Sequence, residues 1–277
     1  MPTTLTELAP YSDERGNRIE FTGDHPTGGQ TRVSVLFTGE NNTLVVDATA
    51  RFKRLSIRFD CSDGTIRLGG GTGRAIEVSI RVGQDSTVTL GERVTTTSIL
   101  LVSAVEGATV TVGDDVMFAS ANQLRSDDGH PIFDVRTGLR VNPARDITVG
   151  DHVWMGREAV ALGGASIGSG SVIGLRSLVT GRIPNNVVAA GIPARVLRTD
   201  VAWERPHLSI HRPYYKPDAS TVARSDFWAL TDDVAITATT GRPGSGPGRP
   251  RTSPTQPGLL TRARAAAGAA RRAWRRA

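Results

Sequence analysis

The segment from Asp127 to Pro131 reads D-D-G-H-P and holds the residues best suited to chemistry. An imidazole is largely neutral near pH 7, so His130 could take a proton from a hydroxyl group as a general base. Asp127 or Asp128 could orient the ring through its second nitrogen. The alternatives are a surface histidine without a role and an ordinary acidic turn.

A repeat of six residues follows this segment and must position it. The first place of each unit is apolar: Val149, Met155, Ala161, Ile167, Ile173 and Val179. The fifth place is small: Val153, Ala159, Ala165, Ser171 and Ser177. A helix does not keep a period of six, because its turn has 3.6 residues. The pattern predicts a triangular solenoid in which each unit is one strand and one corner, and we expect the recurrent glycines to relax the turns.

A weaker repeat of 22 residues precedes the segment. Val46, Leu68, Leu90 and Val112 are equally spaced, and each ends an alternating apolar stretch. We interpret these stretches as wider coils of the same solenoid. A separate small β-sandwich is the alternative.

Two polar residues lie at predicted corners near the loop. Asn122 ends the coil that enters it, and could contact an acceptor or a carbonyl oxygen, or could satisfy its own backbone. His152 occupies a corner in D-H-V-W. We interpret His152 as structural or solvent-facing and not as the base.

The repeats define an organisation along the chain. Residues 125–146 are polar and turn-rich, which predicts a loop thrown out of the solenoid, where chemistry tends to lie. Beyond residue 198 the repeats stop, and we expect an irregular extension with a short helix around 220–230. The predicted regions are an N-terminal lead-in (1–30), the solenoid domain (31–198), the extension (199–240) and a disordered basic tail (241–277).

The charge is concentrated in that tail. Residues 241–277 carry nine arginines and no lysine or acidic residue, so without them the net charge of +6 becomes −3 for the remainder. We therefore expect no nucleic-acid partner. The tail could dock on an anionic membrane surface, or it could be a solvated end.

Composition and the N-terminal sequence bear on location. The one cysteine, Cys61, allows no internal disulfide framework. We expect no secretory signal in residues 1–16 and no membrane span. The expected location is the cytoplasm, with a peripheral position at the inner face of the membrane if the tail docks.

Four stretches together resemble a known family. They are D-D-G-H-P-I-F-D, I-T-V-G-D-H-V-W-M-G, I-G-S-G-S-V-I-G and G-I-P-A-R-V-L-R. The chain resembles the hexapeptide-repeat acyltransferases, such as galactoside and maltose O-acetyltransferases, and is most similar to the group that acts on surface or capsular polysaccharides. The resemblance covers residues 110–205 well and 35–110 loosely.

The resemblance implies an all-β fold, the left-handed parallel β-helix, and an O-acetyltransferase that uses acetyl-CoA and no metal. It implies that His130 is the general base. Asp128 is the second candidate catalytic residue, and Asn122 and Asp127 are candidates for contact with a glycan acceptor. The resemblance further implies a homotrimer whose sites lie between subunits. The positions that match the family's cofactor contacts are Trp154, Gly156, Arg157, Gly174, Leu175, Ser177, Thr180, Arg182, Arg195 and Arg198.

The chain also departs from that family. The corner that has the sequence T-K-D in relatives has the sequence T-G-R at residues 180–182. The positively charged side chain is therefore displaced by one position. The polar acceptor contacts of galactoside acetyltransferases are not matched in the coil before the loop. The resemblance therefore points away from a simple galactoside as the acceptor.

Three other functions are alternatives for this chain. An N-acyltransferase acting on a nucleotide-linked amino sugar would use the same histidine. A non-catalytic solenoid scaffold would not need the G-H-P motif. A γ-type carbonic anhydrase needs three zinc-binding histidines within the repeats, and that set is missing from the five histidines of the chain.

Overall fold

The computed structural model describes residues 1–24, 32–71, 74–213 and 215–232. Over these residues the chain is an all-β solenoid of about seven turns, the predicted left-handed parallel β-helix. Three parallel sheets form the sides of a triangular prism. The chain passes from face I to face II to face III in each full coil.

Among the described residues, fourteen strands precede the loop. They are β1 (Thr3–Leu5), β2 (Tyr11–Ser12), β3 (Arg18–Thr22), β4 (Val33–Phe37), β5 (Thr43–Asp47), β6 (Phe52–Phe59), β7 (Thr65–Leu68), β8 (Ile76–Val82), β9 (Thr87–Leu90), β10 (Thr95–Thr96), β11 (Leu100–Ala104), β12 (Thr109–Val112), β13 (Met117–Phe118) and β14 (Gln123–Arg125).

Nine strands follow the loop within the part of the chain that the structure describes. They are β15 (Ile147–Val149), β16 (Trp154–Met155), β17 (Val160–Leu162), β18 (Ser166–Ile167), β19 (Val172–Ile173), β20 (Leu178–Val179), β21 (Arg182–Ile183), β22 (Val188–Gly191) and β23 (Ala194–Arg198).

Faces I and II stack strands from the first coils onward, whereas the strands of face III begin at β10 among the described residues. Face I has the order β1-β4-β6-β8-β11-β14-β17-β20, face II the order β2-β3-β5-β7-β9-β12-β15-β18-β21, and face III the order β10-β13-β16-β19-β22-β23. The pairs β1–β4, β2–β3 and β22–β23 are antiparallel and close the ends, whereas the coils themselves pair in parallel.

The weaker repeat forms wide coils. Val46, Leu68, Leu90 and Val112 are each at most 3% exposed and stack in one column on face II. The offset between neighbouring coils there is 22 residues, as between Thr87 and Thr109. The prediction of wider coils is confirmed, and the alternative of a separate sandwich is wrong.

The six-residue repeat forms narrower coils. Its first-place residues are at most 1% exposed and its fifth-place residues at most 2% exposed. The coil offset falls to 18 residues, as between Trp154 and Val172. A narrow prism leaves no room for large side chains at the fifth place, which is why valine, alanine and serine occupy it.

The interior tapers along the face I column. Phe37, Phe59, Val82 and Ala104 are in register, and all four are fully buried. The Phe37 and Phe59 rings stack with centroids 5.0 Å apart. Large rings fill the wide coils, and the side chains shorten toward the loop.

The recurrent glycines act differently from the prediction. Gly168 does not have a positive φ; the left-handed corner residues include His152, Glu158 and Arg176 instead. A Cβ on Gly168 would lie 2.4 Å from the backbone nitrogen of Asn185 in the next coil. These glycines are required because the next coil approaches closely, and the expectation that they relax the turns is wrong.

The extension is irregular, and the helix expected around 220–230 is not formed. The backbone N–H of Ser225 donates to the Glu204 carboxylate at 2.7 Å, and the Trp228 indole donates to the same oxygen at 2.8 Å. The N–H of Thr231 donates to Asp200 at 2.9 Å. Bonds to distant residues replace the bonds that a helix would need.

His152 attaches this extension to the solenoid. Its ring is buried and stacks between Trp203 and Phe227, with centroids 4.2 and 4.8 Å away. One ring nitrogen lies 2.5 Å from the Asp115 carboxylate and the other lies 2.9 Å from the Trp203 carbonyl oxygen. Arg205 donates to the other Asp115 oxygen at 2.8 Å. His152 is therefore structural, and it does not face solvent.

The predicted basic tail, residues 241–277, lies outside the described residues. In the ranges that the structure describes, no helix has the length and apolar character needed to cross a membrane.

Two glycine substitutions test the close approach of the coils. We expect Gly168→Ala to lower the free energy of unfolding by about 2 kcal/mol, because the added methyl group meets backbone. Gly181 is the matched control, since a Cβ there meets no atom within 4 Å. Gly181→Ala should change stability by less than about 0.5 kcal/mol. Equal denaturant midpoints for the two variants would contradict this explanation.

Candidate active site

The predicted loop leaves the prism at the corner between faces I and II. It begins after Arg125, the last residue of β14, and ends at Ile147, the first residue of β15. Val110 pairs with Ile147, an offset of 37 residues where the preceding coil has 22. The additional residues leave the solenoid at this one corner, and the parallel pairing continues on both sides.

Asp127 fixes the start of the loop. Its carboxylate is buried and accepts hydrogen bonds from the Ser103 hydroxyl at 2.7 Å and from the Gly129 N–H at 2.9 Å. The Arg81 guanidinium lies 3.7 Å away and also donates to Asp60 at 2.6 Å. These acidic neighbours, Asp60 first, raise the pKa of Arg81 above its ordinary value. The sequence predicted an acceptor contact for Asp127, and the structure places it as an anchor.

Asn142 holds the middle of the loop. Its side-chain N–H groups donate to the His130 carbonyl oxygen and to the Asp128 carboxylate, both at 2.9 Å. Its side-chain oxygen accepts the N–H of Ile132 at 2.6 Å. One side chain therefore contacts Asp128, His130 and Ile132, which are every second residue of this segment.

Glu106 ties the returning limb of the loop to the preceding coil. It accepts from the Arg140 guanidinium at 2.9 Å and from the Ala144 N–H at 3.1 Å. The Arg140 hydrogen bond is the largest cause of a Glu106 pKa below its usual 4.5. The stabilisation from this contact is complete above the usual value and is lost as the pH falls through the lowered one.

The tip of the loop is a short hairpin. Phe133 and Arg140 form an antiparallel bridge, and the Asp134 carboxylate accepts the N–H groups of Arg136 and Thr137 at 2.9 and 2.8 Å. Five apolar side chains of the hairpin are more than half exposed: Ile132, Phe133, Val135, Leu139 and Val141.

His130 itself is exposed, and its ring makes no hydrogen bond to any residue that the structure describes. Asp128 is also exposed, and its carboxylate accepts from Asn142 and not from the imidazole. The arrangement presents a free imidazole on a loop whose backbone is held. Such a group can accept a proton from a hydroxyl that approaches from solvent.

Asn122 lies inside the corner before the loop. It is fully buried, and its amide donates to the Gly156 and Ala159 carbonyl oxygens at 2.7 and 3.0 Å. Its own oxygen has no partner among the described residues. Of the two interpretations of Asn122, these contacts match the structural role at a corner. The contact with an acceptor stays a prediction.

The predicted cofactor residues divide between faces and corners. Trp154 lies on face III and is 39% exposed; Gly156, Arg157, Gly174 and Leu175 follow at the corner between faces III and I. Ser177 is buried at the same corner, where its hydroxyl accepts the Gly191 N–H at 3.1 Å.

The remaining predicted cofactor residues are exposed. Thr180 and Arg182 lie where the chain passes from face I to face II, and Arg195 and Arg198 lie on β23 of face III. Gly156 and Gly174 have packing roles, because an added Cβ would lie 2.7 Å from the Ile173 oxygen or 2.8 Å from the Ala190 Cβ. Their contact with a cofactor stays a prediction.

The structure does not bring His130 and the main cofactor set together within one chain. His130 leaves from the corner between faces I and II, whereas Arg157 and Leu175 stand at the corner between faces III and I. The two corners lie at opposite edges of face I. Over the residues that the structure describes, no group of three His, Cys, Asp or Glu side chains could hold a metal ion.

Comparison with known proteins agrees with this architecture. The chain is 36% identical over 96 residues to polysialic acid O-acetyltransferase of Escherichia coli O1:K1, and 47% identical over 97 residues to galactoside O-acetyltransferase of Escherichia coli K12. These matches cover 35% and 34% of this chain, and only 31% and 46% of the two relatives. No family model matches the chain.

A solved structure matches over a greater length. The polySia-specific acetyltransferase NeuO shares 34% identity and superposes with a TM-score of 0.63, over 69% of this chain and 85% of NeuO. The triangular solenoid and the histidine-bearing loop place this chain among the left-handed β-helix proteins whose site lies at a corner of the prism. Within that class, the chain belongs to the hexapeptide-repeat acyltransferase family.

Substitution of two adjacent carboxylates tests whether Asp127 anchors the loop. We expect Asp127→Asn to lower the free energy of unfolding by about 2 kcal/mol, because an NH2 group replaces one of the two acceptor oxygens and the remaining hydrogen bond is no longer charge-assisted. Asp128→Asn should cost less than about 0.5 kcal/mol, since that side chain is exposed and can still accept from Asn142. Chemical denaturation measures both. A cost for Asp128→Asn equal to that for Asp127→Asn would contradict the assignment.

Proposed function

We propose that this chain is an acetyl-CoA-dependent O-acetyltransferase that acylates a sugar hydroxyl of a surface polysaccharide or its precursor, with His130 as general base. The observation that carries the proposal is the exposed His130 on an anchored loop, in a chain that shares 34% identity with NeuO over 85% of NeuO's length. The names of the relatives, which are polysialic acid and galactoside O-acetyltransferases, support a glycan acceptor.

The chemistry needs one proton acceptor. Acetyl-CoA would supply an acyl group that is already activated, whose C–S bond breaks as the ester C–O bond forms. The free imidazole of His130 takes the proton of the attacking hydroxyl and returns it to the departing sulfur. No nucleophile of the chain needs to be acylated, so one base at the meeting point of donor and acceptor is sufficient.

The donor side is proposed at the corner between faces III and I. Exposed arginines suit phosphate groups, because a guanidinium forms paired charge-assisted hydrogen bonds. Arg157 at this corner and Arg195 and Arg198 on β23 of face III are exposed, whereas the exposed Arg182 lies where the chain passes from face I to face II. Leu175 is 63% exposed, and with Trp154 it offers apolar contacts to a pantetheine chain. These residues fit the donor.

A homotrimer would complete the site. The base and the main donor set occupy two corners that bound face I, so the loop of one subunit can meet the donor corner of the next. Face I between these corners carries outward apolar side chains: Leu101, Val160, Leu162 and Leu178. The exposed hairpin tip supports the same proposal, since apolar patches mark protein contacts.

Replacement of His130 tests the proposed base. We expect His130→Ala to lower kcat for acceptor-dependent thiol release from acetyl-CoA by about a hundredfold or more, the effect of losing a general base. His207 is an exposed histidine of the extension, and His207→Ala should retain wild-type rates. Full activity in His130→Ala would exclude this base. Absence of thiol release from the wild type across a panel of glycans would favour a non-catalytic scaffold.

Mixed trimers test the shared site. His130→Ala and Leu175→Asp should each be inactive alone, because each removes one half of every site. Reassembled from a one-to-one mixture, about a quarter of the sites would combine two intact halves, and that share of activity should return. A mixture that stays inactive while sedimenting as trimers would contradict the arrangement, as would an active monomer.

A further inference from the structure

We propose that Asn142 is a positioning residue for His130, and that its side-chain amide sets where the base stands. The proposal rests on the function proposed above, because it concerns the same histidine. It adds a residue that neither the sequence analysis nor the comparisons assign.

The contacts of Asn142 centre on the histidine. The amide donates to the Asp128 carboxylate before His130, donates to the carbonyl oxygen of His130 itself, and accepts from the N–H of Ile132 after it. Both donor hydrogens and the acceptor oxygen are used. A surface asparagine that only filled a turn would not need all three.

His130 has little else to hold it. Its ring has no hydrogen bond within the described chain, and the residue before it, Gly129, has a φ of +79° and no atom within 4 Å of an added Cβ. The Gly129 N–H donates to the Asp127 carboxylate at 2.9 Å, which holds the backbone before the histidine. Asn142 holds the backbone from the His130 carbonyl oxygen to the Ile132 N–H, so the position of the imidazole depends on that side chain.

Asn142 is itself tied to the solenoid. The Arg140 guanidinium donates to the Asn142 carbonyl oxygen at 3.1 Å and to Glu106 at 2.9 Å. Glu106 stands at the corner after β11, one coil before the loop. A continuous chain of contacts thus runs from the rigid coil to the base.

The amide is chemically necessary at this place. Aspartate has the same shape as asparagine and keeps an oxygen for the Ile132 N–H, but it has no donor. In Asn142→Asp a carboxylate oxygen would face the Asp128 carboxylate and the His130 carbonyl oxygen, so two attractions become two repulsions. The Arg140 Nε, which donates to the Asn142 side-chain oxygen at 3.4 Å, keeps its acceptor in this variant and does not relieve those repulsions. The loop would shift while the remainder of the solenoid stays intact.

The test compares Asn142→Asp and Asn142→Ala with wild type and with Asn185→Asp. Asn185 is a matched control, because its amide likewise donates to a backbone carbonyl, that of Leu230 at 3.0 Å, and it lies away from the loop. We measure kcat, the KM values of acetyl-CoA and glycan acceptor, the pH profile of kcat/KM, and the thermal midpoint. His130→Ala is assayed in parallel.

We expect both Asn142 variants to lose about tenfold to a hundredfold in kcat, because misplacement of a base by about 1 Å is enough for such a loss. The KM of acetyl-CoA should stay within about twofold, and the thermal midpoint should match that of Asn185→Asp. The deficit of Asn142→Asp should shrink as the pH falls toward 5, because the new carboxylate and Asp128 can then share a proton. The deficit of Asn142→Ala should not change with pH.

Three results would overturn the inference. These are wild-type kcat in Asn142→Ala, an equal loss in Asn185→Asp, and a loss that parallels a fall in the thermal midpoint. If His130→Ala is inactive and the Asn142 variants are fully active, only the positioning role fails. If His130→Ala is fully active, the proposed base fails, and the positioning role fails with it.

Discussion

The register between β12 and β15 is the constraint on which the site depends. The chain leaves the prism for the loop and returns so that Ile147 and Val149 join the columns of Val110 and Val112. A return displaced by one residue would turn every inward side chain outward. Because the columns accept one register only, the scaffold tolerates an irregular loop at this corner without losing its core. The loop is then free to serve chemistry, provided that other contacts hold it.

Those contacts are of two kinds. At the root, the buried carboxylate of Asp127 is satisfied by Ser103 and Gly129, and removal of a buried partner is costly. Toward the tip, the contacts among Glu106, Arg140 and Asn142 are exposed, and exposed ion pairs contribute little to stability. We interpret the outer contacts as a means of setting position more than as a source of stability. These contacts hold the backbone of the loop and leave the imidazole of His130 exposed.

Periodic features were predicted well from sequence. The columns of Val149 and Met155, and of Leu68 and Leu90, follow from spacing, because a solenoid repeats one environment at fixed intervals. The loop was predictable as an interruption of that spacing. His152 was interpreted as structural or solvent-facing, and the structural role is the one observed, although no local pattern indicates that Trp203 and Phe227 enclose the ring.

Non-periodic contacts were missed. Asn142 lies twelve residues from His130 beside Pro143, where the sequence indicates only a turn. The helix expected around 220–230 failed because Glu204 binds the Ser225 N–H, a pairing between segments that no local pattern records. The role of Gly168 was misread, because close approach of a neighbouring coil and a demand for positive φ select the same residue. Contacts of this kind depend on which segments the folded corners bring together.

The separation of His130 from Arg157 and Leu175 across face I makes the most direct test structural. We would determine the crystal structure of the protein with coenzyme A and locate the thiol sulfur. We expect the sulfur to lie beside His130 of one subunit while the pantetheine chain passes Leu175 of the adjacent subunit. A sulfur bound far from every His130, or coenzyme A held entirely by one chain on another face, would contradict this expectation.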